Sequence, residues 1–230
     1  MKFKLNISRV ISLITAVLFS ISFQSCQTGE KSGGKDEGII EFDTKAVDQT
    51  HPLSGLAPGS ASLKYKKDKF IMEMSTMGMF NTSIIGDVKA KTMIQTVKFM
   101  DIKQYCIENE GEIKKENEEY KLVIEETKET KKLLGFKCFK LKVTMANDPT
   151  KTFDAYYTKD LGMENCNVLT SYAQVKGVLL DYRAKRMGME MRFLAKSANN
   201  IEIPDNIFEV PAGMKMVSKL EMAKFFNDLQ

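Results

Sequence analysis

The chain has 230 residues, with 34 Lys and Arg against 30 Asp and Glu, one histidine and a formal charge of +4. Lys2, Lys4 and Arg9 lie in the first twenty-five residues, which hold no acid, so without that segment the charge falls from +4 by three to +1. A near-neutral remainder with Lys and Glu interspersed excludes a nucleic-acid binder, which concentrates basic charge on one face.

The N-terminus carries the clearest signal. Three basic residues precede an apolar run from Val10 to Phe23, and a small residue, Ser25, precedes Cys26. The run is shorter than the roughly 20 residues of a membrane span and is interrupted by Ser12, Thr15, Ser20 and Ser22. It reads as a secretory signal peptide over residues 1–25, with Cys26 as the lipid attachment site. From Gln27 to Glu37 there is no aliphatic or aromatic side chain, so the segment cannot offset its ordering entropy by burial and is expected to act as a tether. As a Gly/Ser-type coil it spans on the order of 20 Å. The implied location is the bacterial cell envelope, with the chain anchored by lipid in the outer membrane and facing the periplasm.

Residues 38–230 suit one domain with a real core, and period-two alternation dominates them. Phe70, Met72 and Met74 share one parity, as do Val97 and Phe99, the series Phe139, Leu141, Val143 and Met145, and Phe153, Ala155 and Tyr157. The pattern recurs at Val178, Leu180 and Tyr182 and at Met187, Met189, Met191 and Phe193, with polar residues between. Half-buried strands of this kind predict an α+β, mainly β protein built on an antiparallel sheet with one wet face. Turn signals lie at His51–Ser60, Ile85-Gly86-Asp87, Asn109-Glu110-Gly111, Asn147-Asp148-Pro149 and Arg186-Met187-Gly188. The clusters Glu108, Glu110, Glu112 and Glu116, Glu118, Glu119 alternate with Lys and read as a solvated hairpin tip. Asn167 is positioned to cap a short helix with Leu169, Tyr172 and Ala173. Ser218-Lys219-Leu220-Glu221 is a capping box opening a C-terminal helix that should bury Leu220, Phe225, Phe226 and Leu229.

Three blocks carry a family resemblance. Thr130–Lys140 (TKKLLGFKCFK), Thr152–Leu161 (TFDAYYTKDL) and Phe208–Lys215 (FEVPAGMK) are similar to blocks of a family of bacterial envelope lipoproteins of unknown function. That family resembles the lipoprotein-localisation carriers, the LolA/LolB-like proteins. The resemblance implies a strongly curved antiparallel sheet, an incomplete barrel, with a few helices closing its concave side over an apolar cavity.

Function is less legible. Fifteen Met against no Trp, with Met72, Met74, Met189, Met191 and Phe193 on apolar parities, suit either a filled core or a concave face that repacks around a lipid or acyl ligand. The rival expectation is an interaction subunit of an envelope assembly, touching other envelope proteins and lacking a cavity. His51, the only histidine, sits in a Pro/Gly loop, so no catalytic residues, no metal site and no cofactor are expected. After Cys26 there remain Cys106, Cys138 and Cys166. An oxidising compartment permits one disulfide among them, with the pairing open, or leaves all three reduced. Cys138, opposite in parity to Phe139 and Leu141, is not expected in the core.

Overall fold

The computed structural model describes residues 36–186 and 188–229; Cys26, the signal, most of the tether and Met187 lie outside the described residues. Eleven strands carry the fold in chain order: β1 (Glu37–Ala46), β2 (Ser60–Lys66), β3 (Lys69–Thr76), β4 (Phe80–Asp87), β5 (Thr92–Phe99), β6 (Ile102–Glu108), β7 (Leu122–Leu133), β8 (Phe136–Met145), β9 (Asp148–Thr158), β10 (Val178–Arg186) and β11 (Met189–Asn199). Helix α1 (Glu110–Glu119) lies between β6 and β7, and a two-residue strand β12 (Lys215–Met216) precedes helix α2 (Lys219–Asn227). All twelve strands form one open sheet in the order β12-β6-β5-β4-β3-β2-β1-β11-β10-β9-β8-β7. The expectation of a mainly β, α+β chain with a C-terminal helix holds. The sheet is mixed rather than wholly antiparallel, because β12 runs parallel to β6.

Alternation sorts the faces as the sequence predicts. Ile40 and Phe42 of β1, Met72 and Met74 of β3, Val97 of β5, Leu141 and Val143 of β8, and Met189, Met191 and Phe193 of β11 are buried in one core on the inner face. The rings of Phe193 and Tyr182 stack at 5.0 Å, and Phe42 meets both edge-on. Gly86 lies within β4 rather than in a turn. A side chain there would collide with the ring of Phe70 opposite it, so the glycine makes room for that ring. The outer face is not uniformly wet. Ile71 and Ile85 are covered by Ile203 and Phe208 of the segment that follows β11, which is held by a hydrogen bond from Lys66 Nζ to the Ile203 carbonyl at 2.9 Å.

The acidic cluster after β6 is a helix, not a hairpin tip. The Asn109 side chain accepts from the backbone N–H groups of Gly111 and Glu112, Glu112 bonds back to the Asn109 N–H, and acidic residues sit in the first turn, where the helix dipole favours them. This capping box is the sequence signal that the alternating charges concealed. Asn167 caps no helix: its side-chain amide donates to the carbonyls of Val175 and Gly177 and pins an irregular turn-rich segment, 161–177. The Ser218 box is present as expected. Phe226 is buried and Phe225 stacks on Phe80, but Leu220 is exposed, and Met222 takes the buried position instead.

Candidate functional site

A partly open, mainly apolar space lies on the inner face, with Lys185 and Arg186 among its lining residues. Its floor is Leu63, Phe70, Met72, Ile84 and Met93 from β2 to β5, and its opposite wall is Val178, Leu179, Tyr182 and Ala184 of β10. The third side is formed by Glu116, Asn117 and Tyr120 of α1 and its end, and by Met163, Cys166, Asn167, Thr170, Ser171 and Tyr172 of the turn-rich segment. The cavity measures about 90 Å³. That is room for about three waters at their liquid volume, and well below the roughly 300–1,000 Å³ of ordinary ligand sites.

The polar groups around this space are engaged with one another. Asn117 donates to the Leu169 carbonyl at 3.3 Å, Tyr120 Oη donates to Glu190 at 3.0 Å, and Tyr172 Oη donates to the Arg183 carbonyl at 2.8 Å. Among the described residues no buried side-chain nitrogen or oxygen lacks a partner. Burial pushes the Cys166 thiol and the Tyr182 phenol up to about 12. Both stay neutral at physiological pH, and a neutral buried thiol is a poor nucleophile.

The five residues expected to line a ligand face do share the inner face and are all buried, but only Met72 borders the cavity. Met189, Met191 and Phe193 are packed into the core, while Met74 borders a separate open groove of about 490 Å³ with Glu41, Ser62, Thr96 and Pro211. The residues that shape the space and carried no signal of their own include Met93, Met163, Thr170 and Ser171.

Cys106, Cys138 and Cys166 are free thiols in the structure. Cys138 is fully buried, contrary to its parity, as is Thr158, its register partner across β8 and β9. His51 accepts a hydrogen bond from the Leu53 N–H through Nδ1 at 3.2 Å and serves as a turn cap. Among the described residues no group of three or more His, Cys, Asp or Glu converges to hold a metal, and no helix is long and apolar enough to cross a membrane.

One charged cluster stands apart. Glu108, at the inner end of β6, and Glu116 of α1 both accept from Lys219 Nζ of α2, at 2.7 and 2.8 Å. Burial and the neighbouring Glu116 carboxylate push Glu108 upward. For Glu116, burial acts in the same direction but is outweighed by the Lys219 hydrogen bond together with the charges of Lys219 and Arg186, so it lies below its ordinary value. The geometry makes Lys219 a clamp between the last helix, the first helix and the sheet.

No protein-family model matches the chain, and no curated protein does. A solved structure of PNGF-II, in space group C2, is similar over 83% of this chain with a TM-score of 0.52 and 16% identity. The match covers 32% of the PNGF-II chain. The chain thus spans about a third of that protein's length, and the likeness is one of fold.

Proposed function

We propose that this chain is a lipid-anchored, non-catalytic protein of the bacterial envelope whose sheet is a strongly curved, LolA/LolB-like half barrel used as an interaction module. Anchoring rests on the signal layout ending at Cys26. Two acyl chains or more make such an anchor stable, where one alone is marginal. Curvature is supported by the cavity walls. Met93 on β5 and Tyr182 on β10 border the same small space, although six strand spacings of about 4.8 Å, about 29 Å in a flat sheet, separate their strands.

The observation that carries the interaction reading over the carrier reading is the small size, about 90 Å³, of the cavity between β2–β5 and β10. An acyl chain would need several times that volume. A match to about a third of PNGF-II fits a fold used as one module of a larger chain. The second reading, uptake of a lipid or acyl group, is favoured by Met72, Met93 and Met163 at the cavity wall, since flexible thioether side chains repack readily. Native mass spectrometry of the protein extracted from membranes separates the two. The interaction reading expects the mass of the lipidated chain alone; a stoichiometric co-purified lipid would establish the carrier.

A further inference from the structure

The hairpin tips of the sheet differ in chemistry at its two ends. At the end where the chain enters β1, the tips are Lys67-Asp68 between β2 and β3, Val88–Lys91 between β4 and β5, and Leu134-Gly135 between β7 and β8. At the other end, the β3–β4 and β5–β6 tips carry exposed Met77, Met79 and Met100. The register fixes this assignment. Glu37 pairs with Lys66, Lys69 with Asp87, Val178 with Thr158, Cys138 with Thr158, and Leu133 with Phe136.

The β7–β8 tip is built against the ordinary rules for a turn. Leu134 and Gly135 both have positive φ, 52° and 86°, the conformation of a two-residue hairpin that favours Asn-Gly. Leu134 is 41% exposed there. Leu133 and Phe136 flank it, half-buried. Lys132 and Lys137 flank the turn in sequence and Lys159 follows β9 at the same end; all three are exposed, and the ammonium groups of Lys137 and Lys159 lie 5.4 and 5.2 Å from the centroid of the Phe139 ring. Of the nearby acids, Asp160 accepts from the Lys137 backbone N–H, and Asp181 is held by Nε and Nη2 of Arg192 at 2.9 Å.

We propose that the β7–β8 tip is a second membrane contact, with Leu134 entering the interface of the bilayer and Lys132, Lys137 and Lys159 meeting anionic lipid headgroups. An apolar tip with a basic collar is the composition that interfacial binding uses. Its place is set by the tether, whose last residues join the fold at the same end, where the Lys67 N–H donates to the Asp36 carbonyl at 2.8 Å. The domain then stands end-on to the membrane, with its methionine tips directed away. This contact rests on the anchored reading, through the tether that brings that end of the sheet to the bilayer.

The chain has no tryptophan, so Leu134→Trp gives a single reporter. The full lipidated chain carrying it is reconstituted with phosphatidylethanolamine vesicles, with or without phosphatidylglycerol, and read by flotation and by Trp emission. Expected are flotation with both vesicles, and a blue shift with quenching by brominated acyl chains on the anionic vesicles. Lys132→Glu with Lys137→Glu should abolish the shift and leave flotation intact, and Met77→Trp should keep a water-like emission. Flotation of the Leu134→Trp chain with unshifted emission overturns the contact while the anchor stands, and leaves the tip to a protein partner. A shift confined to anionic vesicles, in a chain that does not float with neutral ones, supports the contact and removes the anchor.

Discussion

Replacing Lys219 by Met tests whether the helix clamp depends on charge. The side chain stays unbranched and of similar length, but the ammonium that lies 2.7 Å from Glu108 and 2.8 Å from Glu116 is gone. Losing one partner of a buried pair costs about 3–5 kcal/mol, whereas exposed pairs contribute about 0–1 kcal/mol. Glu108 belongs to the first case, its side chain being 4% exposed; Glu116, at 53%, belongs to the second. With Lys219 itself partly exposed, the net loss near neutral pH is about 2–3 kcal/mol, or roughly 5–10 °C in Tm for a domain of this size.

The pH dependence gives the sharper readout. Glu108 is raised above its ordinary 4.5 by burial and by Glu116, and removing Lys219 raises it further. A carboxylate raised in the folded state binds its proton more tightly there than in the unfolded chain. Its ionised form therefore costs stability above the unfolded value, increasingly so as pH rises through the folded one. The variant should lose little against wild type near pH 4.5 and the full amount at pH 8. Thermal melts at both values check this, and adding Glu108→Gln should return part of the loss at pH 8. An equal deficit at the two pH values would refute the electrostatic argument and leave only side-chain packing.

Cys26→Ser should abolish acylation and shift the protein out of the membrane fraction, checked by fractionation and intact mass. Met189→Trp inserts a large ring beside Met191 and Phe193 where the core is filled, and should cost about 1–3 kcal/mol by overpacking in denaturant titration. An unchanged midpoint would mean that space exists there. Gly86→Ala drives a methyl into the Phe70 ring and should lower Tm to a similar extent, with Phe70→Leu added to Gly86→Ala restoring part of the loss. Deleting residues 219–230 removes buried Met222 and Phe226; at about 1.5–3 kcal/mol each, the truncated chain should melt well below wild type or aggregate.

Strand positions were readable because inner faces are apolar and outer faces polar over several residues, as at Phe139 to Val143 and Met189 to Phe193. The alternation fails where outer-face residues are buried as well. Ile71 and Ile85 are buried on the outer side by a segment more than a hundred residues away, and Cys138 is buried at a place where parity assigns it to solvent. Helix α1 was hidden for a different reason. Its main apolar holds are Ile113 within it and Tyr120 at its end, so it lacks the stripe that marks an amphipathic helix, and the Asn109 and Glu112 box was its one local sign.

The candidate site exposes a deeper limit of sequence patterns. Met72 and Met74 sit two residues apart on one strand and on the same face, yet of the two only Met72 borders the cavity. Parity tells which face a side chain joins, but whether that face is filled depends on what arrives from elsewhere in the chain. Here the closing elements are α1, polar on most of its surface, and the turn-rich segment pinned by Asn167, neither of which has a hydrophobic period to announce that it lies over the sheet. The same reasoning applies to Lys219. In sequence it is one of many lysines alternating with glutamates, and its role follows only from α2 folding back to place its ammonium between two carboxylates more than a hundred residues earlier. Fold class is a property of local periodicity and could be read from it. The size of the space enclosed, and hence the choice between a carrier and an interaction module, is a property of long-range closure.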